Sequence, residues 1–293
     1  MDSQIPYSDL RARLRRLQWW LQEGSGAARA GVSGRLRQPA PELVDHRPYS
    51  PGDDPRYLDW RLLARLRRPF VRRGEARRGA TLALIVDASA SMGVGGVSKL
   101  AVAVELAAAL AYLHLEQGGR VGLHIAGGEP RTIAPARGQP HLAALLRALE
   151  TTRPAGRVDL GSALPPLAAA WPGPTHATLL SDLLQPVAEL AGLGRLVSRG
   201  HHLDLVQLLD RGDTDPDLDG PCRLVDPEGR AAPLPTVVDP ATRAAYRAAL
   251  ATHTEGLRRL ARRHRMRHLQ VDPACGMEAA LVAYLRLPAG LER

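Results

Sequence analysis

The residues best suited to chemistry stand where an apolar run of the chain ends. Leu82–Val86 is apolar throughout, and Asp87, Ser89 and Ser91 follow it at alternate positions. One carboxylate and two hydroxyls in a single loop are ligands that suit a hard divalent cation such as Mg²⁺, which keeps its other positions for water or a partner. The spacing therefore indicates a Mg²⁺ site or, as the alternative, an ordinary polar turn between a strand and a helix.

A second loop carries an acid at an equivalent place. Leu179 and Leu180 are apolar, and Ser181 and Asp182 follow them. Ligands of open α/β sheets bind in the crevice beyond the carboxyl ends of the strands, so acids that end two separate strands are expected to meet there. We therefore predict that Asp182 joins Asp87 at one edge of a sheet.

The pattern after Gly79 predicts the elements that position these loops. Strand-like runs alternate with apolar-periodic helical segments, which is typical of a parallel sheet covered on both faces. The predicted strands are Leu82–Val86, Val121–Ala126, Ala177–Leu180, Leu203–Leu209 and His268–Val271. The predicted helices are Lys99–Glu116, His141–Leu149, Ser162–Ala169, Pro186–Val197, Pro240–Arg263 and Met277–Leu285.

The predicted fold is therefore an α/β, doubly wound and mostly parallel sheet flanked by helices. It occupies residues 79–293 and contains a short hairpin insertion near residues 222–238, with a turn at Asp226–Gly229. Residues 1–78 are expected to form a basic extension, helical at Ser8–Gln22 and irregular beyond it.

The charge of the chain limits its partners without choosing one. The formal net charge is +9 and the pI is near 10.4, values that suit a nucleic-acid-binding protein. Lys99 is the only lysine, so arginine carries the rest of the positive charge. Arginine also pairs with carboxylates, which makes acidic proteins equally suitable partners.

Cysteine content and hydropathy exclude several classes. Cys222 and Cys275 are too few for a disulfide framework or a cysteine-based zinc site. Ala101–Leu115 is the nearest approach to a membrane span, and Glu105 and His114 interrupt it. We expect a cytoplasmic protein without membrane insertion, with peripheral association to a membrane protein left open.

Two sets of motifs carry a family resemblance. The D-x-S-x-S loop at Asp87, with the later Ser181-Asp182, resembles the metal-ion-dependent adhesion site of von Willebrand factor A-like domains. A longer block before the sheet resembles the signature of the DUF58 family, in which such a block precedes an A-type domain. Its matching residues are Arg47, Tyr49, Gly52, Asp53, Asp54, Arg56, Asp59, Trp60, Arg65 and Glu75.

The resemblance implies a binding mode for the site. A-type domains would hold Mg²⁺ through Asp87, Ser89, Ser91 and, by way of water, Asp182, and a carboxylate of an acidic client protein would complete the shell. The family's threonine is absent, because Val158 stands at its position. Asp159 and Ser162 are possible substitute ligands, although neither occupies the matching position, and the alternative is a degenerate pocket that binds protein without a metal.

The resemblance also implies a partner. DUF58 proteins are commonly associated with MoxR-type AAA+ ATPases in a chaperone-like assembly, and the ATPase would be a separate chain here because no G-x-x-x-x-G-K-[ST] loop is present. The sequence thus predicts a non-enzymatic, protein-binding adaptor. The alternatives are a basic nucleic-acid-binding protein and a metal-dependent hydrolase, although no H-E-x-x-H motif is present.

Overall fold

Six strands form the central sheet of the computed structural model, which describes residues 45–48, 70–73, 81–167, 171, 173 and 175–287. The strands are β3 (Thr81–Asp87), β4 (Arg120–Ala126), β5 (Arg131–Ala136), β6 (Thr175–Ser181), β7 (His202–Leu208) and β10 (Arg267–Val271). Their order across the sheet is β10-β7-β6-β3-β4-β5. All neighbouring strands are parallel except β5, which runs antiparallel to β4 at one edge.

Helices cover both faces of this sheet, which confirms the doubly wound prediction. The helices are α1 (Lys99–Glu116), α2 (Gln139–Glu150), α3 (Leu160–Leu167), α4 (Val187–Leu190), α5 (Gly194–Ser198), α6 (Arg211–Thr214), α7 (Pro240–Arg263) and α8 (Gly276–Arg286). Of these, α1, α2 and α8 pack on one face of the sheet, and α3, α4, α5 and α7 pack on the other.

The apolar run of β3 follows from its central position. Leu82 and Leu84 pack into the cluster on the α1 side, whereas Ala83 and Ile85 pack into the cluster on the α3 side. A strand covered on both faces cannot alternate polar and apolar residues, so β3 reads as continuously apolar. The same geometry places its last residue, Asp87, at the rim of the sheet.

One segment that was predicted as a single continuous helix is divided in the structure. The segment predicted as Pro186–Val197 consists of α4, a 3-10 turn at Ala191–Leu193, and α5. The reason is a close approach of two backbones: a Cβ atom on Gly192 would lie 2.0 Å from the carbonyl oxygen of Gly161 in α3. The segment bends so that it fits against α3.

Three short elements were not predicted. The edge strand β5 is one, and α6, the single helical turn after β7, is another. The third is a ladder between β1 (Asp45–Pro48) and β2 (Phe70–Arg73), which corrects the expectation that this part of the extension is wholly helical or irregular.

Arg47 of the DUF58-like block lies in β1, opposite Val71. The rest of that block and the helix predicted at Ser8–Gln22 lie outside the described residues. The other matching residues of the block are Tyr49, Gly52, Asp53, Asp54, Arg56, Asp59, Trp60, Arg65 and Glu75.

The hairpin insertion is confirmed. The strands β8 (Gly220–Leu224) and β9 (Leu234–Val238) pair antiparallel outside the main sheet. At their connection the Asp226 carboxylate accepts the backbone N–H groups of Glu228 (2.9 Å) and Arg230. None of the helices described here combines the length and the apolar character that crossing a lipid bilayer requires.

Candidate functional site at the carboxyl edge of the sheet

Asp87 and Asp182 lie at the same edge because β3 and β6 are parallel neighbours. Val86 pairs with Leu180, so the two strands end side by side. The Ser181 hydroxyl donates to Asp87 Oδ2 at 2.6 Å, and the Ser89 N–H donates to Asp87 Oδ1 at 2.8 Å. The structure thus brings together the two loops that carry the predicted acids.

The loop after β3 holds both serines next to the aspartate. The hydroxyls of Ser89 and Ser91 lie 3.1 Å apart, and a 3-10 turn at Ala90–Gly93 follows. This loop is packed tightly against the end of β4, since a Cβ atom on Gly127 would lie 2.7 Å from the backbone nitrogen of Ser89. Gly127 also has a positive φ of 105°, so both space and backbone conformation favour glycine there.

The environment of Asp87 makes its carboxyl group a weaker acid. Burial and, to a smaller extent, the neighbouring charge of Asp182 raise the pKa of Asp87 from 3.8 to about 6, against the hydrogen bonds from Ser181 and Ser89, which lower it. Only 1% of Asp87 is exposed. The carboxylate therefore carries a desolvation cost at neutral pH that the described protein groups compensate only in part.

Asp182 is bound by a group that the sequence did not single out as a site residue. The ammonium of Lys99 lies 3.1 Å from Asp182 Oδ2 and 3.0 Å from Asp213 Oδ2, and Lys99 is only 1% exposed. Burial alone would lower the pKa of Lys99, but the charges of Asp182 and Asp213 raise it above 10.5. The signal in the sequence was that the chain contains a single lysine, placed at the start of α1.

The loop after β7 joins the same cluster. Asp210 caps α6, and Asp210 and Asp213 each accept the other's backbone N–H. Asp210 Oδ2 also accepts the N–H of Gly96 at 2.9 Å, which ties α6 to the loop before α1. The Tyr246 hydroxyl of α7 donates to the backbone oxygen of Asp213 at 2.7 Å.

Val158, at the position of the family's threonine, offers no ligand to the site. Its side chain is buried in the apolar cluster on the α3 side. Its backbone oxygen accepts from Gln185 Nε2 at 2.7 Å and from Arg230 of the hairpin at 3.3 Å. Asp159, the possible substitute, is exposed and accepts the Ser162 N–H at the amino end of α3.

The residues at this edge do not form the complete adhesion site that the family resemblance implies. Asp87, Ser89 and Ser91 supply three neighbouring oxygens. The position of Val158 has no hydroxyl, and Asp182 is already bound to an ammonium. No group of three or more histidine, cysteine, aspartate or glutamate residues that could hold a metal occurs in the described part of the chain.

The sheet and these loops form an α/β domain that resembles von Willebrand factor A-like domains, and the chain belongs to the family described as "Protein of unknown function DUF58", which matches residues 45–256. It is similar to the uncharacterized protein Rv1480 of Mycobacterium tuberculosis strain H37Rv, with 34% identity over 261 residues that cover 86% of this chain and 81% of that protein. The uncharacterized protein Mb1516 of Mycobacterium bovis matches with the same values.

Several solved structures are similar to part of this chain at low sequence identity. BatB from Bacteroides thetaiotaomicron is 14% identical with a TM-score of 0.43, covering 70% of this chain and 98% of that one. An aerotolerance-related membrane protein from Bacteroides fragilis is 15% identical with a TM-score of 0.41, covering 70% and 97%. The SpRpn10 VWA domain is 10% identical with a TM-score of 0.39, covering 71% and 95%.

Proposed function

We propose that this protein is a non-enzymatic adaptor that binds a partner protein at the carboxyl edge of its sheet. The observation that carries the proposal is the apolar rim: Val94, Val97 and Leu184 are 50%, 39% and 38% exposed on the loops that follow β3 and β6. Exposed apolar side chains on two loops at the edge where α/β sheets bind ligands support an interface there.

The buried polar cluster beneath the rim gives the loops a fixed shape. Lys99, Asp210 and Gln185 each connect two different loops through hydrogen bonds. Association with such a surface costs less conformational entropy than association with loops that must first become ordered. The apolar rim would then supply the area that association removes from water.

The partners we propose are a MoxR-type AAA+ ATPase and an acidic client protein, in the cytoplasm. The net charge of +9 supports an acidic client because opposite charge speeds association. No step of this proposal uses a cation. The Mg²⁺ at Asp87, Ser89 and Ser91 that the sequence predicts is tested separately: a calorimetric titration that gives equal heats for the wild type and Asp87→Ala would eliminate it.

Leu184→Glu should weaken binding of the purified MoxR-type ATPase at least about tenfold, because it places a charge in the apolar rim. The dissociation constant is measured by biolayer interferometry, with and without a chelator. Ala279→Glu is the matched control, since it adds the same charge at an exposed position of α8, outside the loops that follow β3 and β6. Equal affinities for the two variants would move the interface elsewhere, and failure of the wild type to bind would remove the ATPase as a partner.

A further inference from the structure

We propose that Lys99 takes over the structural part that a metal plays in an adhesion site: its buried ammonium joins the loops after β3, β6 and β7, so the edge forms without a divalent cation. The proposal rests on the proposed function only in naming this edge as the docking surface. Its basis is the mismatch between the donor set and the complete adhesion site.

The ammonium contacts the carboxylates of two different loops. Lys99 Nζ lies 3.1 Å from Asp182 Oδ2, 3.2 Å from Asp213 Oδ1 and 3.0 Å from Asp213 Oδ2. The two oxygens of Asp213 belong to one carboxylate and share the ammonium between them. The Lys99 side chain is only 1% exposed, so it is closed to a ligand from solution and acts as a positioning residue.

The ammonium already neutralises the carboxylate of Asp182 that a cation would use. A divalent ion near Asp182 Oδ2 would have to displace the ammonium or lie beside it, and repulsion between like charges opposes both in a buried site. Asp182 cannot move away easily, because its backbone oxygen accepts from Gln207 Nε2 at 3.1 Å. The carboxylate of Asp182 is therefore held against the buried ammonium of Lys99.

The choice of lysine fits this role. Among the 39 lysine and arginine residues, Lys99 is the only lysine. A compact ammonium can contact two carboxylates at one point, whereas a guanidinium is a planar fork that pairs best with one. Position 99 is therefore better suited to the compact ammonium of lysine, whose shape is closer to that of a metal ion than a guanidinium is.

One side chain thereby connects three strand ends. Lys99 belongs to α1, which follows the loop after β3, while Asp182 follows β6 and Asp213 lies in the turn after β7. The Gly96–Asp210 hydrogen bond joins the first and third loops a second time. Gln185 completes the set by joining the loop after β6 to Val158.

Thermal unfolding in EDTA and in excess Mg²⁺ or Mn²⁺ tests this role without any partner protein. The wild type should show the same midpoint in all three buffers. Lys99→Met should have a lower midpoint in EDTA, and the divalent ions should raise it by about 4 °C or more, because Asp182 and Asp213 are then unpaired acids that attract a cation. A purely structural lysine would lower the midpoint without creating a response to metal.

Lys99→Met/Asp182→Asn is the matched control, because it removes both charges of one pair. Its midpoint in EDTA should exceed that of Lys99→Met, and its response to metal should be smaller. A metal response in the wild type that Asp182→Asn abolishes would overturn the proposal, as would a folded Lys99→Met without a metal response. The wild-type and Asp182→Asn measurements keep the test valid should Lys99→Met fail to fold, and the adaptor function is judged separately by Leu184→Glu.

Discussion

Asp204→Asn should lower the free energy of unfolding by about 3–5 kcal/mol, because it breaks a buried ion pair by neutralising one of its two charges. Asp204 lies in β7 and is 1% exposed. Its carboxylate accepts from His176 Nε2 at 2.6 Å, from the Arg267 guanidinium through two nitrogens, and from the Tyr284 hydroxyl at 2.8 Å. The neutral amide removes the negative charge that faces the partly buried guanidinium of Arg267.

The pH dependence of the same variant gives a second readout. Burial alone would raise the pKa of Asp204, but His176 and Arg267 hold it well below its ordinary value of 3.8. A lowered folded-state pKa stabilises the fold above the unfolded value, and this contribution is lost as the pH falls toward the folded value. The stability gap between wild type and Asp204→Asn should therefore be constant from pH 8 to about 5 and shrink below about 4.

Urea denaturation measures this gap, with Asp215→Asn as the matched control. Asp215 pairs with Arg247 at 3.4 Å, and both side chains are more than half exposed. Exposed pairs contribute about 0–1 kcal/mol, so this variant should stay close to the wild type. A loss for Asp204→Asn no larger than that of the control would show that the buried network contributes little.

Asp87→Asn should raise the free energy of unfolding at pH 7 by about 2–3 kcal/mol. Burial raises the pKa of Asp87 to about 6, so the folded state holds the proton more tightly than the unfolded chain does. The stabilisation from this group is fully present below 3.8 and is lost as the pH rises through 6. An amide removes the desolvation cost of the carboxylate while it still accepts the Ser89 N–H.

The gain should fade as the pH falls, because the wild-type carboxyl is then protonated. Denaturant titrations of both proteins at pH 4.5, 6 and 7.5 would show the difference at its largest at pH 7.5. A destabilised Asp87→Asn at pH 7.5 would mean that the carboxylate is compensated by a group outside these contacts. A stabilised variant would fit a site that gives up stability for function.

The main elements of the fold could be predicted from sequence because their signals are local. The bounds of α1 and α7 agree with prediction to the residue, since Ser98 and Asp239 cap their amino ends. The strand β5 could not be predicted, because Thr132 and Ala134 face solvent and Pro135 weakens the strand pattern. Its existence depends on pairing with β4.

The acidic residues of the site could be predicted from the sequence, but the role of the Lys99 ammonium could not. Asp87 and Asp182 end apolar strands, and parallel strand ends meet at one edge. The partnership of Lys99 with Asp213 joins residues that are 114 positions apart in the sequence. It depends on the register of β7 and on the single turn of α6, and neither leaves a local pattern.

The antiparallel edge strand has a consequence for the behaviour of the protein at high concentration. Proline has no backbone N–H, so Pro135 in β5 cannot donate to a strand of a second molecule. The outermost strand on this side therefore offers an interrupted row of donors, which disfavours the edge-to-edge stacking that begins aggregation.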